Sequence, residues 1–244
     1  MADFLLVHGA WHGAWCWRAV GAALVRAGHR AHAVTLTGLG ERAHLLHADI
    51  DLQTHTTDVQ NAIEAEELQD VILVGHSYAG MLVTAVADRG PQHLSHLVYL
   101  DAVVPKPGES WSSTHAAGTR QQRMDAARAS PQFAFPPPDP AVFGLAGPDY
   151  DWVRRRQTPH PGHTYEAVLD FDPQRVARIP RTFINCTAPA LATIDAIRPR
   201  VTSATFWDGA WLPGSRVVEM KTGHDPMISQ PEELARLLLE CAPT

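Results

Sequence analysis

The apolar positions of the chain follow two periods. Residues 4–7, 71–74 and 97–104 are short, nearly unbroken apolar runs, the pattern of strands buried on both faces of a parallel sheet. Residues 31–36, 181–186 and 216–220 give further strand signals. Between them, residues 14–27, 54–67, 79–89 and 231–241 carry apolar side chains at helical spacing. Gly28 follows the first of these stretches, Gly90-Pro91 closes the third, and Pro231-Glu232-Glu233 opens the last, all of them helix-end signals. The alternation predicts an α/β fold with a mostly parallel central sheet flanked by helices.

That alternation stops at Pro105 and resumes at Arg181. Residues 105–178 are rich in Pro, Arg and Ala, contain Pro136-Pro137-Pro138, and show only short helical patches at 119–129 and 164–169. Such a stretch is too long for a plain loop in a compact domain. The expected organisation is therefore a core formed by residues 1–104 and 179–244, with 105–178 as a helical cap (lid) insertion.

Charge and composition narrow the function. A formal net charge of −6 argues against nucleic acid, which needs a basic patch. No apolar run approaches the roughly 20 residues of a membrane span. Cys16, Cys186 and Cys241 are odd in number and widely spaced, which is no disulfide framework. The chain also runs from Met1 into an apolar strand without a leader-like segment, so a reducing cytoplasm is the expected setting. The 14 histidines are scattered, with no C-x-x-C or H-E-x-x-H spacing, so no metal or other cofactor is expected. The partner implied is a small-molecule substrate, and a homodimer is compatible with such a chain.

The chemistry concentrates at three strand ends. Val71-Ile72-Leu73-Val74 leads into Gly75-His76-Ser77-Tyr78-Ala79-Gly80 and then a helix. This is the G-x-S-x-G elbow with Ala79 in the second glycine's place, and it lifts the Ser77 hydroxyl clear of the sheet as a nucleophile. His8-Gly9-Ala10-Trp11-His12-Gly13 ends the first strand. By itself this is an ordinary glycine turn. Beside Ser77 it offers the Ala10 N–H, which with the Tyr78 N–H would form an oxyanion hole. Thr222-Gly223-His224-Asp225-Pro226 follows the last strand and makes His224 the general base.

Four blocks of this chain, His8 to Trp15, Gly75 to Gly80, Tyr99 to Pro105 and Gly223 to Met227 with Pro231 beyond, resemble the esterase and hydroxynitrile-lyase branch of the α/β-hydrolases. Plant methylesterases and bacterial pyrethroid-type carboxylesterases belong to that branch. The resemblance spans nearly the whole chain and is weakest over residues 105–178. It implies a cofactor-free Ser–His–acid enzyme with a helical cap over an apolar pocket. It also implies an Asp three residues after Cys186, where this chain has Pro189. Three readings follow. Asp101 ends an apolar strand, as the acid does in haloalkane dehalogenases; Asp195 lies just past the lost position; or a Ser–His dyad works without an acid. The strand end favours Asp101. The resembled lyases carry Thr where Gly9 stands and Lys where Asp225 stands, so cyanohydrin cleavage is disfavoured.

Trp11, Trp111 and Trp152 are the expected substrate-binding aromatics, with Phe133 and Phe135 as further candidates. His76 reads as a structural histidine turned away from the nucleophile, and Arg154-Arg155-Arg156 as a solvated helix face. The leading function is hydrolysis of a carboxylic ester of a small, largely apolar compound through an acyl-enzyme on Ser77. The alternatives are a lactonase, thioesterase or C–C hydrolase or lyase acting on a biosynthetic intermediate, and a ligand-binding receptor with weakened catalysis, suggested by Pro189.

Overall fold

A computed structural model describes residues 1–243. Six parallel strands form the sheet: β1 (Asp3–Val7), β2 (Arg30–Val34), β3 (Val71–His76), β4 (Leu94–Leu100), β5 (Arg181–Cys186) and β6 (Ser215–Met220), in the order β6-β5-β4-β3-β1-β2. Every residue of β1 and β3 is buried, which is why these segments are continuous apolar runs. Successive side chains alternate between faces. Phe4 and Leu6 join Val20, Leu24, Leu234 and Leu238 from helices α1 (Arg18–Arg26) and α6 (Pro231–Leu239) on one side. Leu5 and Val7 join Val59, Ile63, Leu82 and Val86 from α2 (Leu52–Ala65) and α3 (Ala79–Arg89) on the other. The expected α/β architecture is the observed one.

The differences have local causes. Helix α2 starts earlier than its apolar period because Asp51 caps it, its side chain accepting from Thr54 N at 2.8 Å. The strand read over 97–104 begins at Leu94 and stops at Leu100, because Asp101 takes a φ of 40° and leaves the ladder.

Residues 105–178 separate β4 from β5, which are neighbours in the sheet. They contain α4 (Ala117–Arg128) and α5 (Gly147–Arg154), but they are less helical than expected. Two antiparallel two-residue ladders also occur, Glu109–Ser110 with Val168–Leu169 and Ala134–Phe135 with His160–Pro161. The proline run at 136–138 cannot extend a helix, and it follows the short ladder at Ala134–Phe135. No described helix is long and apolar enough to cross a membrane.

Candidate active site

The turn after β3 is built by steric exclusion. A Cβ on Gly75 would lie 2.4 Å from Val83 Cγ2 and 2.8 Å from the Ala79 carbonyl oxygen, so strand and helix meet only over glycine. Ser77 at the tip has a φ of 56°, in the left-handed region. It is held by its N–H donating to Leu100 O at 3.1 Å and its carbonyl accepting from Val103 N at 3.0 Å. Trp11 (φ 65°) and Asp101 (φ 40°) are also left-handed. Three non-glycine residues in this conformation at one sheet edge mark stored strain of the kind found at functional sites.

Asp101 is fully buried, and its Oδ2 accepts from His224 Nδ1 at 2.7 Å. Its Oδ1 accepts from Cys186 N at 3.3 Å and from Arg198 Nη2 at 3.4 Å. Asp195 is elsewhere: it pairs with Arg198 and is 67% exposed. The structure thus brings Asp101 and His224 together and leaves Asp195 outside. Among the described residues the Ser77 hydroxyl has no hydrogen-bond partner, and neither do the N–H groups of Ala10 and Tyr78, although Ser77, Ala10 and Tyr78 are all buried. A Cβ on Gly9 would lie 2.8 Å from Ser77 Cβ, so the Ala10 loop runs against the serine.

The loop carrying His224 is braced from residues 105–178. His224 N donates to Phe143 O at 2.9 Å, and the Phe143 ring lies 5.6 Å from the imidazole. His76 Nε2 donates to the His224 carbonyl at 2.9 Å, so His76 is a structural histidine that supports the loop carrying His224. The sequence reading also missed a buried pair beneath this loop: His12 Nε2 donates to Asp225 Oδ2 at 3.1 Å. Burial pulls the His12 pKa down, but the Asp225 carboxylate overrides it and the net shift is upward. Burial pushes Asp225 up, while the imidazoles, His12 first, hold it below the usual carboxylate range. His76, His224 and Asp225 offer ligand atoms within 4.8 Å of one another. Each already serves this hydrogen-bond network, His224 through Asp101 and Asp225 through His12.

The expected aromatics divide. Trp11 and Trp111 are buried with ring centroids 6.2 Å apart, and Trp111 lies 5.0 Å from the Tyr78 ring. Phe135 packs 5.7 Å from Trp11. Trp152 does not join them: it packs edge-on against Trp15 at 5.0 Å and lines an outer groove of about 590 Å³ with Cys16, Arg18 and Met227. Phe133 stacks on His163 instead. Arg154 and Arg155 are exposed and Arg156 lies over Trp152, as expected of a surface. The aromatic cluster also holds Arg123, which nothing in the sequence singles out because helix α4 is polar almost throughout.

Residues 4–237 match the model of the alpha/beta hydrolase family. The chain is 42% identical over 246 residues, covering 98% of each chain, to the carbendazim hydrolyzing esterase of Nocardioides sp. (strain SG-4G). It is 28% identical to methylesterase 7 of Arabidopsis thaliana, covering 98% of this chain and 95% of that one. Among solved structures, an extracellular alpha/beta-hydrolase from a Paenibacillus species superposes with a TM-score of 0.82 over the full length of both chains at 20% identity. Sheet order, elbow and family match agree, and the chain belongs to the alpha/beta hydrolase family.

Proposed function

We propose that this protein is a serine hydrolase cleaving a carboxylic ester, or a close relative such as a carbamate, of a small and largely apolar compound. The observation that carries the reading is the 2.7 Å bond between Asp101 and His224 Nδ1, beside a left-handed serine on a strand-to-helix elbow. Ser77 Oγ attacks the substrate carbonyl while His224 Nε2 takes its proton. Asp101 holds the imidazole in the tautomer that leaves Nε2 free and stabilises the imidazolium. The unengaged N–H groups of Ala10 and Tyr78 receive the oxyanion. His224 returns the proton to the departing alcohol, and water then attacks the acyl-enzyme with His224 again as base. Residues 105–178 act as the cap, supplying Trp111 and Phe135, which pack against Trp11 beside the serine turn. With Asp101 supplying an acid, Pro189 no longer argues for a receptor that has lost catalysis. The esterase names of the relatives support the same chemistry. Cys16, Cys186 and Cys241 carry free thiols, in keeping with a reducing compartment.

The test is turnover on carbendazim, aryl and alkyl methyl esters, lactones and thioesters, for wild type and Ser77→Ala, together with fluorophosphonate labelling. Ser77→Ala should lose at least about 10³-fold in kcat and all labelling while keeping its thermal transition. Comparable ester hydrolysis by purified Ser77→Ala protein would overturn the assignment.

A further inference from the structure

We propose that Arg123 is a specificity residue of this site and selects substrates bearing a carboxylate on the part of the molecule that does not react. Its guanidinium carbon lies 5.0 Å from the Trp111 ring, 5.2 Å from Trp11, 5.2 Å from Tyr165 and 5.8 Å from Phe135. Trp11 continues the Ala10 loop and Trp111 packs on the Tyr78 ring, so the cation sits among rings that adjoin both segments carrying the candidate oxyanion donors. Arg123 is half-buried, and no carboxylate of the described residues lies within 4.0 Å of it. Arg181, by contrast, is surrounded by the carbonyl oxygens of Ala177, Ile179, Ala210 and Pro213.

The acceptors facing Arg123 are His115 Nδ1, at 3.2 Å from Nη1, and the Tyr165 hydroxyl, which itself donates to that nitrogen at 2.6 Å; neither is a carboxylate. Burial, followed by Arg123 and Arg120, pulls the His115 pKa down to about 3, so the imidazole is a neutral acceptor and not a countercharge. The Trp11 indole N–H is also buried without an acceptor. The cage therefore holds one cation and several free N–H donors with almost nothing to accept from them. Aromatic faces stabilise a guanidinium but do not neutralise it. A planar carboxylate matches its forked donors, and a flat unsaturated body suits an aromatic surrounding.

This inference rests on the ester-hydrolase reading, so binding and turnover are measured separately. Calorimetric binding to the Ser77→Ala protein compares monomethyl terephthalate with methyl 4-methylbenzoate, a neutral ester of similar size. The acid ester should bind at least about tenfold more tightly, the worth of one charge-assisted contact. That advantage should vanish in Ser77→Ala/Arg123→Met, with affinity for the neutral ester little changed. Equal binding of the two esters by Ser77→Ala, or tighter binding of the neutral one, overturns the proposal without any change at position 123, whether or not Arg123→Met folds. If the acid ester binds preferentially but wild type turns over neither ester, the hydrolase reading fails and the carboxylate site stands.

Discussion

At Asp101 the backbone leaves the sheet and the carboxylate meets His224 in the same residue. The left-handed turn stops the ladder after Leu100, and the Asp101 N–H donating to Ile184 O at 2.8 Å keeps the turn attached to β5. An asparagine can adopt that backbone, so Asp101→Asn isolates the charge. Its amide would hold the imidazole in the wrong tautomer, and turnover should fall by roughly 10²–10⁴ with the fold retained. Asp195→Asn, which loses only an exposed pairing to Arg198, should stay within about threefold. Steady-state kinetics on one ester substrate separates the two, and equal losses would sink the assignment of the acid. Ser77 and His224 were legible in the sequence because a strand, an elbow and a helix are contiguous. Asp101 was legible only because Pro189 occupied the usual place. His12 and Asp225 were not, since the partners lie 213 residues apart and each alone reads as an ordinary loop residue. The signal available was an acid immediately following His224, in a loop that the fold buries.

Elements meet here at backbone distance, and glycine decides where. A Cβ on Gly80 in α3 would lie 1.9 Å from the Val103 carbonyl oxygen, in the strand exit whose N–H bonds Ser77. Main chain on both sides cannot yield, so Gly80→Ala should destabilise the protein by about 3 kcal/mol, the upper end of ordinary overpacking. Gly118 in α4 has nothing within 4 Å of the same added atom, and Gly118→Ala should instead gain about 0.5 kcal/mol. Urea denaturation of both variants checks the pair; a stable Gly80→Ala would mean that α3 and the strand exit are not rigidly apposed. At this scale the sequence spoke clearly for β1, β3 and α3, because burial on all sides leaves unbroken apolar runs. It spoke poorly for residues 105–178. Two-residue ladders are too short to show a period, and α4 turns mostly polar side chains outward, burying Met124 and Ala127.

Across the whole molecule the histidines oppose one another, and their number decides the outcome. Burial, ahead of all other causes, pulls His8 down to about 3, His55 and His96 down to about 4, and His115 down to about 3. It also holds His76 and His160 well below 6.5. Hydrogen bonds explain why some cannot take a second proton. His8 Nε2 accepts from Leu36 N at 3.1 Å while its Nδ1 donates to Gly9 O at 2.7 Å. His55 Nε2 donates to Thr37 O at 2.9 Å and its Nδ1 lies 3.1 Å from the Tyr78 hydroxyl. For these groups the unfolded chain binds protons below about pH 6.5 and the folded one does not, so stability falls as pH drops. Each contributes a slope of up to about 1.4 kcal/mol per pH unit, less for the partly exposed His96. His12 works the other way: its raised pKa contributes stability that is fully present below about 6.5 and lost as pH rises through the raised value. Asp225 is held low, so its contribution fails only as pH falls below the carboxylate range. One histidine against six leaves a net acid lability, and against a total stability of about 5–15 kcal/mol several such slopes bring unfolding to mildly acidic pH. The thermal transition should therefore fall steeply between pH 7 and pH 5. Unfolding at pH 5.5 should take up about five protons, read from calorimetric enthalpies in buffers of different ionisation heat. An uptake of about one proton or fewer would show that these imidazoles are already charged in the folded protein, and the hydrogen-bond assignments at His8 and His55 would go with it.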